Sequence, residues 1–212
     1  ALLERLTDYA LRHLYDEMPG DDPAAQLLGL VVERTADLAA SYMVAGFVHG
    51  VLNTDNMNIS GESFDYGPWR WLPKWEPGFT AAYFDHAGLY AFGRQPEALG
   101  WNCAQLATAL RLIAPSEGLI AALERFGTLY PAHLRRRWLW RLGVAPQNEP
   151  RDAALIAACE RHMRETGQSP DEFFFSHRGG RANSAELQAL FADYEATGSD
   201  HDYWHDGAPQ SM

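Results

Sequence analysis

A short polar segment between two hydrophobic stretches constrains the fold of this chain more than any other feature. The segment runs from His49 to Gly67 and reads HGVLNTDNMNISGESFDYG. It contains three closely spaced side chains that carry oxygen atoms, Asp55, Asn56 and Asp65. One interpretation is ordinary turn chemistry, because Asn and Asp side chains hydrogen-bond their own backbone. The other is a metal site, because Mg²⁺ prefers oxygen ligands and takes only a few of them from protein.

The Asp-Tyr-Gly triplet at 65–67 favours the metal interpretation. Protein kinases carry a similar Asp-Phe-Gly triplet, in which the Asp holds Mg²⁺ while an Asn of the catalytic loop holds a second ion. A hairpin over residues 49–66 would bring Asp65 back beside Asn56. Asp55 would then face a substrate hydroxyl. An aspartate is a weak base, but it is adequate where positioning and metal electrostatics supply most of the rate.

Four stretches of sequence resemble the selenoprotein O family, which is also called YdiU. They are GFVHGVLNTDNMNI at 46–59, FDYGP at 64–68, GLYAFGRQP at 88–96 and WN at 101–102. The best match covers residues 45–113, which is roughly a third of the chain. Members of this family are kinase-like proteins, once classed as pseudokinases, that transfer AMP from ATP to protein hydroxyls.

The resemblance implies a role for each oxygen-bearing residue of the segment. Asp55 is expected to accept the proton of the substrate hydroxyl, and Asn56 and Asp65 are expected to bind the metal, with Asp65 also holding the nucleotide through it. The expected metal is Mg²⁺ or Mn²⁺, and the expected partners are ATP and proteins that offer Ser, Thr or Tyr. Residues 82–85, Ala-Tyr-Phe-Asp, depart from the more polar run, such as Asn-His-Ser-Asp, that we expect in many relatives.

Composition limits the alternatives. The 212 residues carry a net charge of −11, which argues against a nucleic-acid partner because such proteins present a basic surface. Cys103 and Cys159 are too few for a disulfide framework, and we expect both to be buried, reduced thiols. No apolar run approaches the length needed to span a membrane, and no signal peptide is visible. The expected location is therefore the cytoplasm, with no membrane partner.

The chain also lacks parts that a kinase-type site requires. Lys74 is its single lysine and follows Asp55, and no G-x-G-x-x-G sequence occurs. Kinase-type sites hold ATP phosphates with an upstream Lys and a Gly-rich loop. The chain starts at Ala1, within apparently helical sequence, and ends at Met212 without a recognisable terminal signature. We therefore expect a fragment whose nucleotide-binding lobe lies upstream and which is inactive alone.

Hydrophobic periodicity, taken with the resemblance, predicts a mainly α fold: a kinase-like C-lobe over residues 1–197 whose small β-hairpin carries the catalytic and metal loop at 49–67. Residues 67–100 are expected to form an irregular loop in the place of an activation segment, where its aromatic side chains either help to bind the target protein or pack on their own lobe. Residues 198–212 are expected to form a flexible tail. The hairpin should turn at 59–62, with its apolar side chains facing the core. The expected inward residues are Val51, Ile59 and Phe64. The expected helices are 2–18, 24–48, 101–114, 117–142 with breaks near Gly127 and Pro131, 151–166, 170–176 and 184–197.

Four local patterns have two interpretations each. His49 is a structural residue that bonds the loop backbone, or else an acid or base. Asp85-His86 is part of an ordinary loop or half of a metal pair. The basic and aromatic run at 135–140 is a solvated helix face over packed Trp, or a nucleic-acid contact. The loop at 177–181 is a plain connection or a phosphate cradle.

Two alternatives to adenylyl transfer stay open. The parent protein transfers the γ-phosphoryl group as an ordinary kinase, or the chain is a non-catalytic binding lobe whose acidic residues only form turns.

Overall fold

The computed structural model describes residues 2–197, and these residues are mainly helical, as predicted. A two-stranded antiparallel sheet pairs Phe47 with Trp71 and Val48 with Arg70. Short 3₁₀ turns lie at Thr54–Asn56 and Phe92–Arg94. The predicted tail at 198–212 lies outside the described residues. The helices are α1 (Leu2–Leu14), α2 (Pro23–Ala45), α3 (Gln95–Leu110), α4 (Ser116–Glu124), α5 (Phe126–Leu142), α6 (Glu149–Thr166), α7 (Pro170–His177) and α8 (Ala185–Phe191), and the strands are β1 (Phe47–Val48) and β2 (Arg70–Trp71).

The ends of several helices differ from the periodicity, and local backbone chemistry explains two of them. Helix α1 stops at Leu14 instead of residue 18 because Asp16 adopts a left-handed φ of 55°. Helix α3 begins at Gln95, well before the predicted 101, because Pro96 occupies its first turn, where a missing N–H costs nothing. Helix α2 begins as predicted, with the Ala25 N–H donating to Asp22 Oδ1 at 3.0 Å.

The described residues form two compact units. The first comprises residues 2–43, 47–71 and 77–133, and the second comprises 44–46, 72–76 and 134–197. The single kinase-like lobe therefore stays a prediction.

The first unit is organised around α2, which is buried on two faces. Leu28 and Val32 face α3 and α4 and are fully buried, while Leu27 faces α1. This two-sided burial explains why α2 shows a broad apolar stripe. The first unit contains every residue of the candidate site described below.

The second unit packs its aromatic side chains in a core of its own. Trp138 is fully buried, and its ring lies 4.8 Å from the Phe174 ring. The Arg141 guanidinium lies over Phe174 and donates to the Val44 carbonyl oxygen and to Asp171. Trp packing beneath the run at 135–140 is thus confirmed for Trp138, whereas Trp140 is exposed.

Two arginines of the loop at 177–181 are held by backbone carbonyls. Arg178 donates to the Arg141 carbonyl oxygen at 3.0 Å, and Arg181 donates to the Arg178 carbonyl oxygen at 3.0 Å. These contacts favour the plain connection over the phosphate cradle.

Both cysteines are buried free thiols, as predicted. Burial raises the pKa of the Cys103 thiol to about 11. Among residues 2–197, none of the helices combines the length and apolar character that crossing a bilayer demands.

Candidate active site

The polar segment folds into the predicted hairpin. Met57 pairs with Ser63 across it, and the Asn58 N–H donates to the Glu62 carbonyl oxygen at 2.8 Å. Gly61 makes the turn possible, because its φ is +80° and a Cβ there would lie 2.4 Å from the Arg34 Cβ. A side chain at this position would therefore push the hairpin off α2.

The hairpin brings Asp65 close along the backbone to Asn56, and so to its chain neighbour Asp55. The Phe64 N–H donates to the Asn56 carbonyl oxygen at 3.1 Å, so Asp65 directly follows the residue paired with Asn56. Asp65 has a φ of 57°, and Asp16 is the only other non-glycine residue among 2–197 with a positive φ. Aspartate adopts this left-handed region more readily than most residues, so the two positions match each other in backbone conformation.

Asn56 is held with its amide in a fixed orientation. The side chain is buried, and its Nδ2 donates to the Val51 carbonyl oxygen at 3.0 Å. Its amide oxygen consequently points away from Val51. Within residues 2–197 no group of three His, Cys, Asp or Glu is arranged to hold a metal. One amide oxygen and one exposed carboxylate nevertheless fit Mg²⁺, which takes few protein ligands and fills the rest with water and phosphate oxygens.

Asp55, the residue before Asn56, lies on the wall of a cleft that neither Asn56 nor Asp65 lines. It belongs to the 3₁₀ turn at Thr54–Asn56 and is exposed. The cleft has a volume of about 520 Å³, and Tyr90 lines it beside Asp55. The Tyr90 hydroxyl donates to Asn53 Oδ1, and burial, followed by the charges of Asp85 and Asp55, raises the pKa of this phenol.

His49 has the structural role that the sequence favours. Its Nε2 lies 2.9 Å from the Phe64 carbonyl oxygen, and the Val51 N–H donates to its Nδ1 at 3.4 Å. The imidazole is therefore neutral, with the proton on Nε2, and it joins both ends of the hairpin. Burial lowers its pKa. The prediction that Phe64 faces the core is wrong, because its carbonyl makes the inward contact and its ring is half exposed.

Comparison with known proteins identifies the family. A family model described as protein adenylyltransferase SelO matches residues 1–206. The chain belongs to this family.

Several relatives carry the name protein nucleotidyltransferase YdiU. The protein of Trichormus variabilis is 36% identical over 175 residues, which cover 82% of this chain and 36% of the relative. That of Synechococcus elongatus is 46% identical over 143 residues, which cover 67% of this chain and 29% of the relative. That of Albidiferax ferrireducens is 37% identical over 207 residues, which cover 92% of this chain and 42% of the relative. The chain thus spans roughly a third of the length of these SelO relatives.

In this SelO chain, α3 fixes the backbone that leads into the site. The Gln95 amide is buried, accepts the His49 N–H at 2.9 Å and donates to the Phe47 carbonyl oxygen at 2.8 Å. Two turns further on, Asn102 donates to the Leu52 carbonyl oxygen at 3.0 Å. Both residues lie in the stretches that resemble the family, yet their roles were not predicted. Their spacing of seven, which places them on one helix face, was the available signal.

Asp85 has a structural role instead of a metal-binding one. Its two carboxylate oxygens accept the N–H groups of Leu89 and Tyr90, each at 2.8 Å. It thereby orders the end of the loop at 67–100, next to the cleft, which favours the ordinary-loop interpretation of Asp85-His86.

The aromatic residue after Asp65 packs against the hairpin. The Tyr66 hydroxyl donates to the Ser63 carbonyl oxygen at 2.7 Å, and its ring lies 5.1 Å from that of His49. Tyr42 bonds the Ser63 hydroxyl from α2. These contacts restrict the backbone on both sides of Asp65.

We expect a glutamine-to-leucine change at Gln95 to destabilise the chain. Leucine fills a similar volume but leaves the backbone N–H of His49 and the backbone carbonyl of Phe47 buried without partners. The cost is about 2–4 kcal/mol of unfolding free energy, since each unsatisfied group costs about 1–3 kcal/mol. Urea denaturation of Gln95→Leu measures it. Gln105→Leu, on the same helix but only partly buried, should change stability by less than about 0.5 kcal/mol.

Protonation of His49 should make stability depend on pH. Burial lowers the pKa of His49 in the folded state. The neutral ring therefore contributes to the free energy of unfolding at pH values above the ordinary histidine pKa of about 6.5, and this contribution is lost as pH falls through the lower pKa of the folded state. His49→Gln should therefore show a shallower loss of stability than wild type between about pH 7 and 5. Urea denaturation across this range measures the slopes. His13→Gln, at an exposed position of α1, serves as the control, and equal slopes in all three proteins would contradict the prediction.

Proposed function

We propose that this chain is the catalytic part of a protein adenylyltransferase, which moves AMP from ATP to Ser, Thr or Tyr hydroxyls of other proteins with Mg²⁺ or Mn²⁺. Membership of the SelO family supports nucleotidyl transfer. The observation that supports the site assignment best is the hydrogen bond from the Phe64 N–H to the Asn56 carbonyl oxygen, because Asp65 directly follows Phe64 in the hairpin.

Each site residue has one role in the proposed reaction. The acceptor hydroxyl oxygen attacks the α-phosphorus of ATP and loses its proton to the Asp55 carboxylate. The new bond joins this oxygen to the α-phosphorus. The bond from the α-phosphorus to the oxygen that bridges it to the β-phosphorus breaks, and pyrophosphate leaves. Asn56 and Asp65 supply oxygen ligands for the metal, which when bound offsets the negative charge of the phosphates.

His49, Gln95 and Asn102 act only through the backbone. His49 ties the Phe64 carbonyl to the Val51 N–H, and Gln95 and Asn102 anchor residues 47–52 to α3. A base and a metal site need such fixed supports, because small displacements reduce catalysis strongly.

The choice of AMP over phosphate is tested with ATP labelled at the α- or the γ-phosphorus. The enzyme is the full-length form, which joins these residues to the remaining length found in the relatives. Label from the α position should appear in acceptor protein, and the 212 residues alone should give none. Label only from the γ position would identify a kinase and overturn the proposal. No label from either position, with acceptor protein supplied, would indicate a binding lobe.

A further inference from the structure

Three parts of the first unit line the cleft beside Asp55. Residues 52–55 come from the site hairpin, and residues 89–90 come from the end of the long loop. The third wall consists of Ala98 and Trp101, which lie three residues apart on one face of α3, and of Arg94, the residue just before this helix. Whatever fills the cleft therefore meets Asp55 on one side and this helix face on the other.

The cleft exposes large apolar side chains close to the proposed base. The Trp101 side chain is 57% exposed and that of Leu89 is 49% exposed, although both line a concave surface. Leu52 contributes a buried apolar wall. Concave apolar surfaces with a few polar groups are typical of ligand sites, whereas isolated exposed residues are not.

The charges of the cleft leave Asp55 uncompensated. Arg94 is paired with Glu97 at 3.2 Å, and both line the cleft, so these two charges cancel. Across residues 2–197, the Asp55 carboxylate has no ion-pair partner. The cleft thus offers one negative charge beside an apolar surface, which disfavours an acidic group next to Asp55 and accommodates an apolar one.

We propose that this cleft binds the acceptor segment of the protein substrate. The hydroxyl-bearing residue lies against Asp55, and a neighbouring apolar side chain of the same segment lies against Trp101 and Leu89. The inference rests on the proposed function, because it takes Asp55 as the base. The cleft volume of about 520 Å³ suits a short peptide segment. Acceptors with Glu or Asp beside the hydroxyl are disfavoured by Asp55.

The test compares three peptides with the full-length form. Each peptide holds one serine, flanked on both sides by leucine, by alanine or by glutamate. We expect the leucine peptide to have the lowest KM. Trp101→Ala should raise this KM roughly tenfold, which corresponds to losing one large apolar contact, while kcat and the KM for ATP change less than about twofold. Trp101→Phe should keep most of the preference.

The matched control is Trp140→Ala, because Trp140 on α5 is 54% exposed, similar to Trp101, and does not line the cleft. It should leave all three KM values unchanged. If Trp101→Ala raises the KM for ATP and not for peptide, the cleft binds nucleotide and the inference is overturned. Equal KM values for the leucine and glutamate peptides would overturn it as well.

A binding measurement separates this inference from the proposed function. The serine of each peptide is replaced by alanine, and fluorescence anisotropy gives its Kd without ATP or turnover. The leucine peptide should bind tightest, and Trp101→Ala should weaken it roughly tenfold. Absence of binding by all three peptides would overturn the inference. Normal peptide binding without any AMP transfer would instead contradict the proposed function.

Discussion

Replacing Asp65 with alanine should reduce AMP transfer by the full-length form by roughly 10³-fold or more. Metal-ion electrostatics contributes several kcal/mol to stabilising phosphoryl-type transition states, and each 1.36 kcal/mol is about tenfold in rate. Asp65 is exposed, and it directly follows the residue whose N–H bonds the Asn56 carbonyl oxygen in the hairpin. Transfer of label from α-labelled ATP to acceptor protein measures the loss.

The backbone at Asp65 calls for a specific control. Alanine is less favourable than aspartate at a positive φ, so Asp65→Ala also strains the chain. Asp16 offers the matched case, because it is also an exposed aspartate with a positive φ, 55° against 57°. Asp16→Ala should keep near wild-type transfer. If both variants lose activity equally, strain explains the loss and the metal role of Asp65 is contradicted.

Replacing Asp55 with asparagine should lower kcat by roughly 10²–10⁴-fold, the usual contribution of a general base. Asparagine keeps the shape of the side chain but cannot accept the hydroxyl proton. Because Asp55 is proposed as the base and not as a metal ligand, and lines a cleft that Asn56 and Asp65 do not line, the affinity for Mg²⁺·ATP should change little. Single-turnover transfer and ATP binding, measured on the same variant, separate these quantities.

Asp21→Asn is the control for this change, since Asp21 is an exposed aspartate between α1 and α2. It should have wild-type kcat. A kcat for Asp55→Asn within about threefold of wild type would contradict the role of Asp55, because a lost general base costs far more.

Local sequence patterns predicted the features that depend on near neighbours. Helical spacing predicted most helices, and the Asn, Gly and Ser residues of the segment predicted the hairpin that brings Asp65 to Asn56. For His49 the sequence left two roles open, and the contacts of its ring with the loop backbone support the structural one.

The features that the sequence did not predict depend on distant contacts or on backbone dihedrals. Gln95 bonds residues that lie 46 and 48 positions away, so its role depends on where α3 packs. The early start of α3 is not evident from the sequence, because a proline such as Pro96 is as typical of a loop as of a first helical turn. The apolar character of Phe64 predicts a core position, but its backbone bonds both His49 and Asn56 and its ring lies outside.

The most direct test of the proposed metal site is the affinity of the full-length form for metal-bound ATP. Electron paramagnetic resonance of Mn²⁺·ATP reports binding to wild type, Asp65→Ala and Asp16→Ala. We expect Asp65→Ala to weaken binding by at least roughly 10–100-fold, the loss that even outer-shell contacts produce at metal sites, while Asp16→Ala binds normally. Equal affinity of wild type and Asp65→Ala would contradict the metal site and make the acidic residues turn formers of a non-catalytic lobe.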